Sequence, residues 1–372
     1  MADKETQKTE PKPASGFKPK QLKAIEHENE LVAARYSPCG KFLFAGSYDA
    51  KIYRWDLADG TKTSFAKHHG WLQGLVFHPD GKRMFTGDSW GGICCWDYAA
   101  KSPEPMWTRT DAHTRWMHGL AISPDGTLLA TCGADKVVRL WSTLDGSPKG
   151  ETTAQGFDLL SLCFHPNGKS LVVGDLKGVA TDWDVATLKP SRQLDAKILF
   201  LRPLSSGVPE INDVGGVRCI TFDSTGKFLV CSGSQPTSSG FFQGKPTIVV
   251  LDWQTGERKH LLQWEGVTPD DGITMDVSWH TNGYLLATSS GQPGKGAFYC
   301  WKPEEKQPFH LDKAITHSRS VSLDPSGQTA AVLQIKPPPG GVNNLNGRGK
   351  DKSDDTYCGL MSVITLWDIR RT

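Results

Sequence analysis

The chain carries 42 lysines and arginines against 40 aspartates and glutamates over 372 residues, a formal charge of +2. That balance excludes the strongly basic footprint of a nucleic-acid binder and gives no reason to expect a polyacidic partner. No apolar signal region follows the N-terminal lysines, and no run approaches the roughly 20 apolar residues of a membrane-spanning helix, so a soluble, cytoplasmic protein with no membrane contact is expected.

Residues 1–19 are rich in Lys, Glu, Thr and Pro and hold one aromatic, too little to recover ordering entropy by burial, so a disordered tail is expected. Residues 21–25 then alternate as a strand does, with Leu22 and Ile25 as their bulky apolar members. From there one unit repeats. Its clearest copy runs from His113 to Trp141: an alternating segment with Leu120 and Ile122 on one face, a break at Ser123-Pro124-Asp125-Gly126, a second segment from Leu128 to Thr131, a turn holding Asp135, and a third segment from Val137 to Trp141. Period-2 apolar positions bounded by Pro, Asp and Gly mark half-buried strands joined by hairpins.

The glycine that closes the first turn recurs at Gly40, Gly81, Gly126, Gly168, Gly226, Gly283 and Gly327; the tryptophan that ends the third strand recurs at Trp55, Trp96, Trp141, Trp183, Trp253, Trp301 and Trp367. Steps of 41, 45, 42, 58, 57 and 44 residues between the glycines, built from short strands, predict propeller blades around an axis. Neighbouring blades share one core, so the repeats override the two or three domains that length alone suggests. First strands carry Ala34/Tyr36, Leu75/Phe77, Leu120/Ile122, Leu162/Phe164, Ile220/Phe222, Val277/Trp279 and Val321/Leu323, each pair on one face of a sheet. Weaker fourth strands are placed near residues 63–65, 106–109, 151–153, 192–194, 261–264 and 309–311. Cys94, Cys95, Cys132, Cys163, Cys219, Cys231 and Cys300 fall in or at the ends of expected strands without metal-ligand spacing, and read as small buried hydrophobes in a reducing compartment.

Trp-Asp stands at 55–56, 96–97, 183–184 and 367–368, while Trp141-Ser142, Trp253-Gln254 and Trp301-Lys302 depart from it. With the seven-fold self-similarity, these dipeptides make the sequence resemble the WD40-repeat family from about residue 20 to the end. The resemblance implies an all-β, seven-bladed WD40 β-propeller over residues 20–372, with blades centred near 27–65, 68–109, 113–153, 156–194, 213–264, 270–311 and 315–368 plus 21–25. The ring would close by pairing of the N-terminal strand with the last blade. It further implies a hydrogen-bonded chain of His, Ser or Thr, Asp and Trp inside the blades. His113, Thr131, Asp135 and Trp141 match all four positions. Blade 1 has His27, Asp49 and Trp55 but Ala45 at the hydroxyl position, blade 2 has His68, Thr86 and Trp96 but Trp90 where Asp is expected, and blade 4 puts Lys177 there. A set that recurs with the blade period is structural, so His113 is not expected to be a catalyst.

Turns between second and third strands, and connections from a fourth strand to the next blade, share one end of a propeller. Residues 200–214, 234–247 and 336–362 all lengthen that end, which suggests an elaborated binding face. Counted from the network histidine, the family's partner-contacting places fall on Trp71, Gln73, Trp116, His118, Gly216, Arg218, Ile273, Met275, His317 and Arg319; Tyr48 and Ser89 precede the network Asp position and Trp90 occupies it. Exposed Trp, Tyr and Arg are the anchors of protein interfaces. The expectation is a non-enzymatic scaffold that binds a peptide or protein partner on this top face, with no catalytic residue, cofactor or metal. One alternative is a propeller enzyme, a metal-assisted or lactonase-like hydrolase, which needs carboxylates or histidines converging from successive blades. Another is a nucleic-acid-binding adaptor using Arg218, Arg319 and the basic run at 348–352, against which the near-neutral charge argues. The glycine-rich stretches at 240–246 and 291–296 lack P-loop spacing.

Overall fold

The alternation read in the sequence becomes strand wherever it occurs: the innermost strands of the blades are Leu31–Tyr36, Leu72–Phe77, Met117–Ile122, Leu159–Phe164, Cys219–Phe222, Ile273–His280 and Ser318–Leu323. In this computed structural model each belongs to a four-stranded antiparallel sheet, and the seven sheets form an all-β propeller. The structure describes residues 19–201, 214–237, 243–336 and 360–370, with the backbone of 342–343, 349–350 and 357–358. The expected tail at 1–19, save its last residue, and most of the lengthened turn at 336–362 lie outside the described residues. Outer strands differ most from expectation: Pro148–Glu151 and Arg258–Leu262 start earlier, because these mostly exposed strands carry little apolar alternation to fix them.

The core sits between blades rather than within them. Phe85, Ile93 and Cys95 of blade 2 pack with Met117, Leu120, Leu129 and Trp141 of blade 3, all buried. Leu31, Ala34 and Trp55 of blade 1 pack in the same way with Leu333 and Ile364 of blade 7. No blade could keep these faces dry alone. The ring closes as expected: Lys20–His27 pairs antiparallel with Met361–Asp368, from Lys20 opposite Asp368 to His27 opposite Ser362, with a bulge between Gln21 and Lys23. Ser362 stitches the seam further, its hydroxyl accepting from Leu31 N–H (2.8 Å) and donating to the Asn29 carbonyl (2.9 Å).

Two lengthened turns prove partly regular. In blade 5, Phe228–Pro236 and Gly244–Asp252 stay paired out to Pro236 opposite Gly244, so much of 234–247 is a hairpin extended past the other blades. At the entry to that blade Phe200–Leu201 pairs with Val214–Gly215; the residues between them, and the tip at 238–242, lie outside the described set.

A second interblade device was not read from the sequence. His165 Nδ1 accepts from Asn167 N–H (3.1 Å) while its Nε2 donates to the Gly226 carbonyl of blade 5 (3.0 Å). His280 does the same with Asn282 N–H and the Gly327 carbonyl of blade 7, and His78 reaches the Gly126 carbonyl of blade 3 at 2.8 Å. The latch thus joins blades 2 to 3, 4 to 5 and 6 to 7. Its partner must be glycine twice over: Gly226 has φ +74°, and a Cβ there would meet His165 Nε2 at 2.6 Å. His165 also packs edge-on against Phe222. His165→Ala is therefore expected to cost about 2 kcal/mol, read as a lower urea midpoint with unchanged slope; an unaltered midpoint would show that the latch carries no stability.

Candidate interaction face

The polar network fixes the turns that present this face. In blade 3 His113 bridges Asp135 (Nδ1 to Oδ1, 2.9 Å) and Thr131 (Nε2 to Oγ1, 2.8 Å), and Trp141 donates its indole N–H to the same hydroxyl at 3.0 Å. Arg139 adds a 2.7 Å bond to the second Asp135 oxygen. Blade 2 corrects the sequence reading: its network is complete, because Asp88 rather than the residue at position 90 meets His68 (2.8 Å), with His68 to Thr86 at 2.7 Å and Trp96 to Thr86 at 2.8 Å. Asp88 stands eight residues before Trp96, whereas Asp135 stands six before Trp141. The amides of Trp90 and Gly92 bond the other Asp88 oxygen, which leaves the Trp90 ring pointing outward. In blade 4 Asp175, not Lys177, holds the matching turn. Blade 1 lacks the hydroxyl, and Tyr53 donates to Asp49 instead (2.5 Å). Its His27 is buried beside the Tyr53 ring with Nδ1 3.2 Å from the Glu28 carboxylate, and that burial pushes the imidazole pKa down.

Above these turns the large aromatics converge. Tyr48, Trp71 and Trp116 form a row over blades 1 to 3, with ring centroids 5.3 and 6.0 Å apart. Trp71 is 49% exposed, Trp116 55% and Trp90 67%. Three half-exposed tryptophans on one end are an uncommon expenditure of apolar surface. Arg319 of blade 7 is tied into the row: it donates to Tyr48 OH (2.6 Å), lies 5.4 Å from that ring's centre, and sits 3.4 Å from the Glu30 carboxylate. It therefore braces the seam between blades 7 and 1 as well as facing the rim.

His118 and Arg218 sit deeper, in a cavity of about 550 Å³ beside Trp116 that Arg115 and Asp158 also line. Burial lowers the pKa of both, and the Arg218 charge lowers that of His118 further. His317 is also half-buried: its backbone is in the left-handed region (φ +48°), it donates its amide to the Lys295 carbonyl, and burial pushes its imidazole pKa down. In the channel, Arg35 of blade 1 reaches across blade 7 to Asp276 of blade 6 (2.8 Å), with Ser320 at 2.6 Å, so these charges are paired with each other. Among the described residues no helix is long and apolar enough to cross a membrane.

The fold and this face define a class, a rigid propeller with an aromatic rim. The WD domain, G-beta repeat profile matches residues 19–56, 60–97 and 104–142. The chain is 32% identical over 92 residues to the WD repeat and FYVE domain-containing protein 2 of Caenorhabditis elegans, covering 24% of this chain and 22% of that one. It is 25% identical over 205 residues to Periodic tryptophan protein 2 of Arabidopsis thaliana (44% and 23%), and 33% identical over 79 residues to Nuclear distribution protein PAC1 of Arthroderma benhamiae (21% and 17%). The chain thus spans less than a quarter of the length of these relatives. The three matched repeats and a relative named as a WD repeat protein support a WD40-repeat protein, in line with the seven-bladed fold.

Proposed function

We propose that the protein is a non-enzymatic scaffold that binds a peptide or protein segment along the row Tyr48–Trp71–Trp116, with Trp90 beside it. The observation that carries this reading is the contiguity of the exposed rings, whose spacing lets one extended segment touch all three. Aromatic side chains give large contact area with few rotors to freeze, and a disc already rigid loses little entropy on binding. The His-Thr-Asp sets support a binding role over a hydrolytic one, since their donors and acceptors are consumed inside the blades.

The test is affinity capture from the native host with quantitative mass spectrometry. The double variant Trp71→Ala/Trp116→Ala should lose specific partners by at least about tenfold. Its stability should fall by no more than about 1 kcal/mol, because both rings are half in solvent. Leu144→Ala, an exposed change at the opposite end of blade 3, serves as control. Partners retained by the tryptophan variant would remove this face from consideration.

A further inference from the structure

In blades 1, 2 and 3 a histidine stands 28 residues before the blade tryptophan: His27 before Trp55, His68 before Trp96, His113 before Trp141. In blade 4 the same offset from Trp183 falls on Gln155, and the hydroxyl place held by Thr86 and Thr131 is Val173. Gln155 does not stand in for the ring; its amide turns back to donate to the Thr153 carbonyl at 2.6 Å. Gln155 and Val173, which stand at the places of the ring and the hydroxyl, line a cavity of about 400 Å³ together with Phe157, Asp175, Lys177, Trp183 and Phe200.

The acidic partner of the missing ring keeps its place. One oxygen of Asp175 accepts from Lys177 N–H (2.8 Å) and Val179 N–H (2.9 Å), as Asp88 does from Trp90 and Gly92. The other Asp88 oxygen takes the bond from His68; its counterpart on Asp175 has no hydrogen-bond partner among the described residues. Trp96 and Trp141 donate to threonine, whereas Trp183 faces a valine. The wall is preformed as well. Lys177 Nζ lies 4.6 Å from the Phe157 ring centre and 4.2 Å from that of Phe200, a cation held between two rings.

We propose that this cavity is a binding site for a small, neutral, planar heteroaromatic ring with an N–H donor, the chemistry of the imidazole that blade 4 lacks. The ring packs against Trp183 and Phe157 and donates to the open oxygen of Asp175. Lys177 and Lys197, both at the cavity, disfavour a cationic ring. Such a ring arrives either as a free heterocycle or as the histidine side chain of a partner segment.

The experiment follows the Trp183 indole N–H by heteronuclear NMR, assigned with Trp183→Phe, on the full chain at about pH 8, where imidazole is mostly neutral. Imidazole should shift that signal and the amides of Asp175 and Lys177 with half-saturation in the millimolar range or below, a range suited to so small a ligand. N-methylimidazole, which has no N–H, should bind at least about tenfold more weakly, and Asp175→Asn should weaken imidazole by a similar factor. Capped histidine is the second arm: saturation by it points to a partner's side chain, and saturation by imidazole alone points to a free heterocycle. Gln155→His/Val173→Thr should rebuild the network, raise the urea midpoint and abolish the shifts. No shift with either probe, or shifts of equal affinity with N-methylimidazole, overturns the proposal.

Discussion

Replacing Asp135 with alanine is expected to lower stability by about 3–5 kcal/mol, the usual cost of removing one partner from a buried, hydrogen-bonded pair. Asp135 accepts from His113 and Arg139, and the His113 side chain is fully buried. The substitution opens a void beside the buried imidazole, which keeps Thr131, and strips the guanidinium of its shortest bond, leaving it Glu151 and the His113 ring nitrogen. The pH dependence has a definite sign. Burial pushes the Asp135 carboxyl up, but the hydrogen bonds and charges of His113 and Arg139 outweigh it and hold the group well below the usual carboxylate range; Asp88 is lowered for the same reason through His68. A carboxylate whose pKa falls on folding contributes stability that is fully present above its unfolded value of about 4, and that is lost as the pH falls through the folded value. The gap between wild type and Asp135→Ala, measured by urea denaturation, should thus be widest near neutrality and narrow progressively below about pH 4. Asp49→Ala, in a blade with no network hydroxyl, should cost only about 1–2 kcal/mol. Equal losses at the two positions would mean that the network adds nothing beyond a turn.

The blade count was legible because it rests on spacing, and spacing survives substitution; the closing strand was expected from the family resemblance. Trp253 and Trp301 mark their blades although neither is followed by aspartate. The network in blade 2 was missed because a fixed offset from the tryptophan lands on Trp90, while across a turn of the same length as in blade 3 the carboxylate comes from Asp88 at the end of the strand. The latch histidines had a signal that went unread: His78-Pro79-Asp80-Gly81, His165-Pro166-Asn167-Gly168 and His280-Thr281-Asn282-Gly283 occur in every second blade, and only tertiary packing reveals that each ring reaches the next blade's glycine. Of the rim residues, sequence alone could rank Tyr48, Trp71, Trp90 and Trp116 together. It could not show that Arg319 is braced by Tyr48 and Glu30, or that His118 lies in a cavity wall, since both follow from contacts between residues far apart in the chain.

Removing residues 1–27 should do the most damage of any change short of disrupting a blade core, although the strand it deletes is mostly exposed. Lys20–His27 covers the outer edge of Met361–Asp368 through seven paired positions, and Ile25 packs onto the core shared by blades 1 and 7. Pairing and apolar cover of that extent are worth roughly 3–5 kcal/mol. The loss is not only energetic. An uncovered eight-residue edge offers a row of unpaired N–H and C=O groups to any other chain, so the truncated protein should self-associate as well as unfold more readily. Light scattering after size exclusion should show oligomers that grow with concentration, and unfolding should become biphasic as blade 7 detaches before the rest. A synthetic peptide of residues 18–29 added in trans should restore the monomer by supplying the missing strand. A truncated chain that stays monomeric with an unchanged midpoint would show that the ring is held by its interblade cores, and that the pairing of Ile25 with Ile364 merely decorates a seam already shut.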